Sequence, residues 1–169
     1  MQKITIRDIQ KFKEKGTPFA TVTAYDYISS QNASAVGIPL LLVGDSAAMV
    51  VYGMDTTIPI SMDEMIFLVR AVHRGSNKSL VVADMPFMSY QASVEDAVQN
   101  AGRFVKESSA EAVKLEGGTV YKKQIKAIIN AGIPVMGHVG LLPQSYHLSA
   151  GYRIQGRTQL EAKKIFSDA

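Results

Sequence analysis

The chain has 169 residues, of which 47% are hydrophobic and 20% charged, with 18 Lys and Arg against 15 Asp and Glu. This composition excludes a disordered tail, a collagen-like repeat and a coiled coil, and it supplies enough apolar chain for one globular domain with a sizeable core. The formal charge of +3 is spread over scattered residues, which argues against the clustered phosphate contacts of a nucleic-acid binder, and with no cysteine there is no disulfide, thiolate nucleophile or Cys-zinc site.

From Met1 to Asp8 no apolar stretch follows the first charge, so the start does not read as a secretory signal. Thr5-Ile-Arg-Asp8 reads as a capping box opening a short amphipathic helix that Gly16 stops. Pro18 to Tyr25 is expected to be a strand, and Tyr27 to Val36 a helix of small residues ended by Gly37. The apolar run Pro39 to Gly44 is too short for a helix and reads as a buried strand. The loop Ser46 to Gly53 is unusually apolar, which suits a lid, a subunit contact or a packed loop. Ser61-Met-Asp-Glu64 is a second capping box, with Met65, Leu68, Val69 and Val72 forming an apolar stripe behind it. Strands are expected at Ser79 to Ala83, Ala112 to Leu115 and Ile133 to Met136. Helices are expected from Ser93 to Ser109, from Thr119 to Ala131, and after the capping box Thr158-Gln-Leu-Glu161. Between Ala127 and Tyr152 there is no Lys, Arg, Asp or Glu, but Gly and Pro interrupt the stretch too often for a spanning helix. A cytoplasmic protein is the expectation.

Apolar strands alternating with capped helices imply a parallel sheet covered by helices. Neither a dinucleotide-binding Gly-x-Gly-x-x-Gly nor a P-loop is present. An open doubly wound sheet and a (β/α)8 barrel both remain, and the strand ends favour the barrel. These ends are Tyr25-Asp26, Gly44-Asp45-Ser46, Ala83-Asp84, Leu115-Glu116 and Gly137-His138, so every expected strand delivers an ionisable side chain at its C-terminal end. In a barrel those ends converge on one pocket.

Asp45, Asp84 and Glu116 are hard oxygen donors from three strands, and three neighbouring carboxylates call for protonation or a bridging cation. Mg2+ suits such a set better than zinc. The competing role is capping of the following helix, which is favoured for Asp26 and disfavoured for Asp45 and Asp84. Lys114 interrupts an apolar strand two residues before Glu116, on the same face. It could pair with Glu116, hold a substrate carboxylate or form a Schiff base. His138 sits at the same rim, as a packed core histidine or a site residue, while His73 and His147 read as surface or packing residues. Gly117-Gly118-Thr119 could cradle an anion or make a tight turn.

Several segments resemble the ketopantoate hydroxymethyltransferase family in order and spacing. They are Thr23-Ala-Tyr-Asp-Tyr27, Leu42-Val-Gly-Asp-Ser46, Asp84-Met-Pro-Phe-Met-Ser-Tyr90, Val113-Lys-Leu-Glu-Gly-Gly118, Gly137-His-Val-Gly-Leu141 with Pro143-Gln-Ser145, and Tyr152-Arg-Ile-Gln-Gly-Arg157. The resemblance implies a (β/α)8 TIM barrel of the phosphoenolpyruvate-mutase-like group, usually a homodecamer, of which residues 1–169 make one domain holding about the first five βα units. It implies transfer of a hydroxymethyl group from 5,10-methylenetetrahydrofolate to 3-methyl-2-oxobutanoate through a metal-stabilised enolate, giving 2-dehydropantoate for pantothenate synthesis. It further implies Asp45 and Asp84 as Mg2+ ligands with Glu116 in or beside the shell, and Asp45, Ser46, Asp84, Lys114 and His138 around the keto acid. That assignment moves Lys114 away from Schiff-base duty. The family's general base is a glutamate on a later strand, beyond Ala169, so no residue here takes that role, and a molecule ending there is expected to be an open, incomplete barrel, impaired or inactive. Leu142 and Ala150, where relatives often carry Thr and Gly, are small departures. The rival readings are another Mg2+-dependent 2-oxo acid lyase or aldolase of the same barrel group, and a non-catalytic chain that only binds ligand or partner subunits.

Overall fold

The computed structural model describes residues 3–148 and 151–169. The departure at Ala150 and the first two residues of the start therefore lie outside the described residues. Five parallel strands, β1 (Thr21–Thr23), β2 (Leu40–Val43), β3 (Leu80–Asp84), β4 (Ala112–Glu116) and β5 (Val135–His138), lie side by side in sequence order. Sequential order with a helical crossover between neighbours is the arrangement of consecutive βα units in a barrel, whereas a doubly wound sheet reverses its strand order.

Local signals place most of the helices. In α1 (Ile6–Glu14) the Asp8 carboxylate accepts from the Thr5 N–H at 3.1 Å and from its hydroxyl at 2.7 Å. α2 (Tyr27–Ala35) is capped by Asp26, whose Oδ1 accepts from Ser29 N–H at 2.8 Å. The Ser61 box opens α4 (Met62–Gly75), Ser93 caps α5 (Val94–Ser108), and the Thr158 box opens α7 (Gln159–Asp168). Each such cap satisfies N–H groups that the first turn leaves without partners.

Three boundaries differ from the sequence reading. β1 is shorter than Pro18 to Tyr25, because its only partner among the described residues is β2, which begins at Leu40 opposite Thr21. The expected helix from Thr119 starts as a 3-10 turn over Thr119–Tyr121, and α6 proper is Lys122–Asn130. The apolar loop after Asp45 contains a single helical turn, α3 (Ala47–Val50), which buries Ala47 and Ala48 and leaves Val50 and Val51 exposed.

Side-chain alternation divides the sheet into two faces. On the outer face Leu41, Val43, Val81, Ala83, Val113 and Leu115 join the main core with Met65, Val69 and Val72 of α4 and Ala97, Ala101 and Phe104 of α5. Each fully buried Leu, Val or Phe side chain there stabilises the fold by roughly 1.5–3 kcal/mol. Gly75 and Ser30 let α2 and α4 approach at backbone distance, and Ser30 Oγ donates to Val72 O at 2.6 Å. On the inner face Leu40, Leu80, Val82 and Ala112 pack with Ile4, Ile6, Ile9, Leu42 and Met136, so α1 closes the lower end of that surface. The same alternation carries Asp84, Lys114, Glu116 and His138 onto the inner face at its upper end. Among the described residues no helix is long and apolar enough to cross a membrane.

Candidate active site

Strand register assembles the polar end of the inner face. Asp84 on β3 stands opposite Lys114 on β4, and Glu116 on β4 stands opposite His138 on β5. Adjacent in-register positions on parallel strands share a face, so both pairs meet side by side. The Lys114 ammonium lies 2.8 Å from each Asp84 oxygen, with the lysine side chain 11% and the aspartate side chain 2% exposed. Lys114 thus pairs with Asp84 on the neighbouring strand, not with Glu116 on its own. His138 Nδ1 approaches Glu116 Oε1 to 3.4 Å without hydrogen-bond alignment.

Asp45 arrives from the turn after β2. Its backbone N–H donates to Asp84 Oδ2 at 3.2 Å, and its own side chain is buried. Gly44 makes this turn possible, since a Cβ there would fall 2.8 Å from Ser46 Oγ. Ser46 in turn shares a 2.8 Å hydrogen bond with the Tyr25 hydroxyl. All five named site residues, Asp45, Ser46, Asp84, Lys114 and His138, together with Glu116, therefore lie at the C-terminal ends of β2 to β5. Asp26 does not join them; it is exposed and serves as the cap of α2.

Two residues without assigned roles hold the cluster together. Gln144, in the 3-10 turn Pro143–Ser145, donates from Nε2 to Asp45 Oδ2 and Met85 O, both at 2.9 Å, and from its backbone N–H to Glu116 Oε2 at 3.0 Å. Tyr90 is fully buried; its hydroxyl donates to Gln144 Oε1 at 2.8 Å and accepts from Glu116 N–H at 3.1 Å. No charge or periodicity marks either residue in the sequence, and only the fold brings them to the strand ends. Thr57 adds a buried hydroxyl without a hydrogen-bond partner among the described residues.

The electrostatics follow from burial. Desolvation pushes the Asp84 carboxyl up to about 7, opposed by the Lys114 ammonium and reinforced by the charge of Asp45. Asp45 is raised as well, chiefly by burial, against the Gln144 amide and Lys114. The Tyr90 phenol is raised by burial and by the neighbouring Glu116 carboxylate, so it stays a neutral donor. Among the described residues no three His, Asp or Glu side chains stand together at metal-holding distance in this arrangement. The Gly117-Gly118-Thr119 turn is met by the chain itself, with Thr119 N–H and hydroxyl donating to Asp168 Oδ1 at 3.0 and 2.7 Å. A cleft of about 600 Å³ beside this turn, lined by Gly117, Lys122, Gly137, Val139 and Asp168, shares no residue with the carboxylate cluster.

Solved structures share this architecture. A 2,3-dimethylmalate lyase of the PEP mutase/isocitrate lyase superfamily, in its trigonal crystal form, superposes with a TM-score of 0.63 over 99% of this chain and 68% of that one, at 14% identity. A phosphonopyruvate hydrolase solved with oxalate and Mg++ gives a TM-score of 0.64 over 79% of this chain and 52% of that one, also at 14% identity. These likenesses show the fold, an α/β barrel of which the five parallel strands form consecutive βα units. The family model for ketopantoate hydroxymethyltransferase matches residues 3–169, and the chain belongs to that family. The 3-methyl-2-oxobutanoate hydroxymethyltransferases of Carboxydothermus hydrogenoformans and Moorella thermoacetica are 52% identical over 169 residues and 53% identical over 167. That of Staphylothermus marinus is 53% identical over 169 residues. These alignments cover 99–100% of this chain and 61–62% of the relatives, so the chain spans about three fifths of the length of the curated relatives it matches.

Proposed function

We propose that these residues, as the first five βα units of one (β/α)8 barrel domain, bind the cation and the keto acid in an enzyme that transfers a hydroxymethyl group from 5,10-methylenetetrahydrofolate to 3-methyl-2-oxobutanoate, giving 2-dehydropantoate. The observation that carries the reading is the buried Asp84–Lys114 pair with Asp45 and Glu116 beside it, at the strand ends of a chain that matches the family along its length.

Mg2+ fits this donor set. Three buried carboxylates share the strand ends with one buried ammonium, which pairs with Asp84, so negative groups outnumber positive ones there, and Glu116 Oε1 is buried without a hydrogen bond among the described residues. The donors are hard oxygens with neither thiolate nor a second histidine, the chemistry that magnesium takes. Asp45 and Asp84 would hold the ion, with Glu116 in or beside its shell. An ion held by these residues would supply Lewis-acid polarisation of the bound 2-oxo acid, which would make its C3–H more acidic.

The residues of the chain do the rest by position. Lys114, held by both oxygens of Asp84, presents fixed positive charge where the carboxylate of the keto acid would lie. Ser46, anchored by Tyr25, offers a hydroxyl at the same rim, and His138 stands beside Glu116. Burial of the cluster keeps bulk water from screening these charges. No residue of the chain is assigned the removal of the C3 proton.

Calorimetry and deuterium exchange test the reading. The chain is expected to bind 3-methyl-2-oxobutanoate only with Mg2+ present, and Asp84→Asn or Lys114→Met abolishes that binding. Mg2+-dependent exchange at C3 in D2O, followed by folate-dependent product, would establish turnover, whereas binding without exchange would make the chain a ligand-binding unit. Exchange with pyruvate or oxaloacetate but not with the branched acid would refute the assignment.

A further inference from the structure

Gln144 is 5% exposed and uses every hydrogen-bonding group of its side chain on the carboxylate cluster and its surroundings. Its two amide hydrogens go to Asp45 Oδ2 and Met85 O, its Oε1 accepts from Tyr90 OH and Gln91 Nε2 at 2.8 and 2.9 Å, and its backbone N–H goes to Glu116 Oε2. The partners fix the amide orientation. A flipped amide would aim Oε1 at two acceptors, a carboxylate and a carbonyl, and aim its N–H groups at the Gln91 amide donor.

The consequence is a division of oxygens. Asp45 gives Oδ2 to Gln144 and has the Thr57 hydroxyl as a further polar neighbour; Glu116 gives Oε2 to Gln144, and its Oε1, with His138 Nδ1 3.4 Å away, makes no hydrogen bond among the described residues. One glutamine thus ties down one oxygen of each of two carboxylates from different strands and does not engage the other oxygen of either. We propose that Gln144 is the positioning residue of the cation site, orienting Asp45 and Glu116 as ligands through these two bonds, with Tyr90 OH fixing Gln144 in turn. Outer groups that hold metal ligands in place typically change affinity by about 10–100-fold when removed. The proposal rests on the cation-binding reading above and assigns a role to a residue that touches neither ion nor substrate.

Mn2+ replaces Mg2+ as a spectroscopic probe in the test. Its affinity for the 169-residue chain is measured by electron paramagnetic resonance, well below the melting temperature of each variant, with the spectrum of the bound ion recorded alongside. Gln144→Met keeps the volume and removes the amide, and it is expected to weaken Mn2+ binding by about 10-fold or more and to alter the bound-ion spectrum. Gln144→Glu sets a fourth carboxylate against Asp45 Oδ2 and is expected to disturb the spectrum at least as much. Tyr90→Phe, which keeps the ring and releases Gln144 Oε1, is expected to lose several-fold, and it serves if Gln144→Met does not fold. A purely structural role would lower the melting temperature and leave affinity and spectrum unchanged, and that result overturns the proposal. Asp45→Asn and Asp84→Asn separate the two levels. If they abolish Mn2+ binding while Gln144→Met does not weaken it, the positioning role fails and the cation site stands. If the parent chain does not bind Mn2+, or those two variants bind like the parent, the cation site fails and the positioning role with it.

Discussion

Lys114→Met tests how the cluster is held without any ligand. The substitution preserves length and most of the volume but removes the cation that lies 2.8 Å from both Asp84 oxygens. At that separation and an effective dielectric of about 20, a unit-charge pair attracts by roughly 6 kcal/mol before desolvation is counted. With side chains only 11% and 2% exposed, solvent screens little of it, and removing one partner of a buried pair typically costs about 3–5 kcal/mol. The variant should therefore be about 3–5 kcal/mol less stable than the parent at about pH 8, read from urea unfolding midpoints without divalent metal.

The pH dependence has a definite sign. Asp84, raised by burial from 3.8 to about 7, contributes stability that is fully present below pH 3.8 and lost as pH rises through 7. Without Lys114 its carboxyl rises further, so the deficit of the variant widens from about pH 5 to about pH 8. A variant within about 1 kcal/mol of the parent at about pH 8, or one whose deficit shrinks as pH rises, would refute the reasoning.

Three further substitutions probe the scaffold. Asp26→Ala removes the cap of α2 and should cost about 1 kcal/mol at neutral pH in thermal or urea unfolding. Hydrogen bonds from the Ser29 N–H and hydroxyl lower the Asp26 pKa below 3.8, so its contribution is present above 3.8 and lost as pH falls; the variant and parent should converge at acid pH, and a constant gap would count against the cap. Gly75→Ala would drive a Cβ into the Tyr27 carbonyl and within 3.0 Å of Ser30 Cβ, so about 1–3 kcal/mol should be lost; unchanged melting would show that α2 and α4 are not in close backbone contact. Met88 holds φ at 65°, where glycine is at ease and a β-branched residue is not; Met88→Val should lower the melting temperature and Met88→Gly should not, and equal effects would remove the claim of strain.

By itself the sequence determined the features whose causes lie within a few residues. The boxes at Thr5, Ser61 and Thr158 and the cap at Asp26 work across three positions, so helix starts could be read directly. Apolar strand runs and the polar residue at each strand end likewise announced a parallel α/β protein with its ionisable residues gathered at one edge of the sheet, and the ordered segments from Thr23 to Arg157 carried the family resemblance. The single turn of α3 was not legible, because four residues give too little helical period to separate from a packed loop. Tertiary structure alone decided which charges meet. Spacing within β4 suggested Lys114 with Glu116, but register across β3 and β4 placed Asp84 directly opposite, where a short bond to both oxygens was available. Gln144 contacts Asp45 across 99 residues of chain, and no local pattern encodes a contact that depends on a loop returning over three strand ends. The charged residues of the cluster could be named from the chain because ionisable groups in an apolar context stand out. The neutral residues that aim them could not, because their role exists only in the folded geometry.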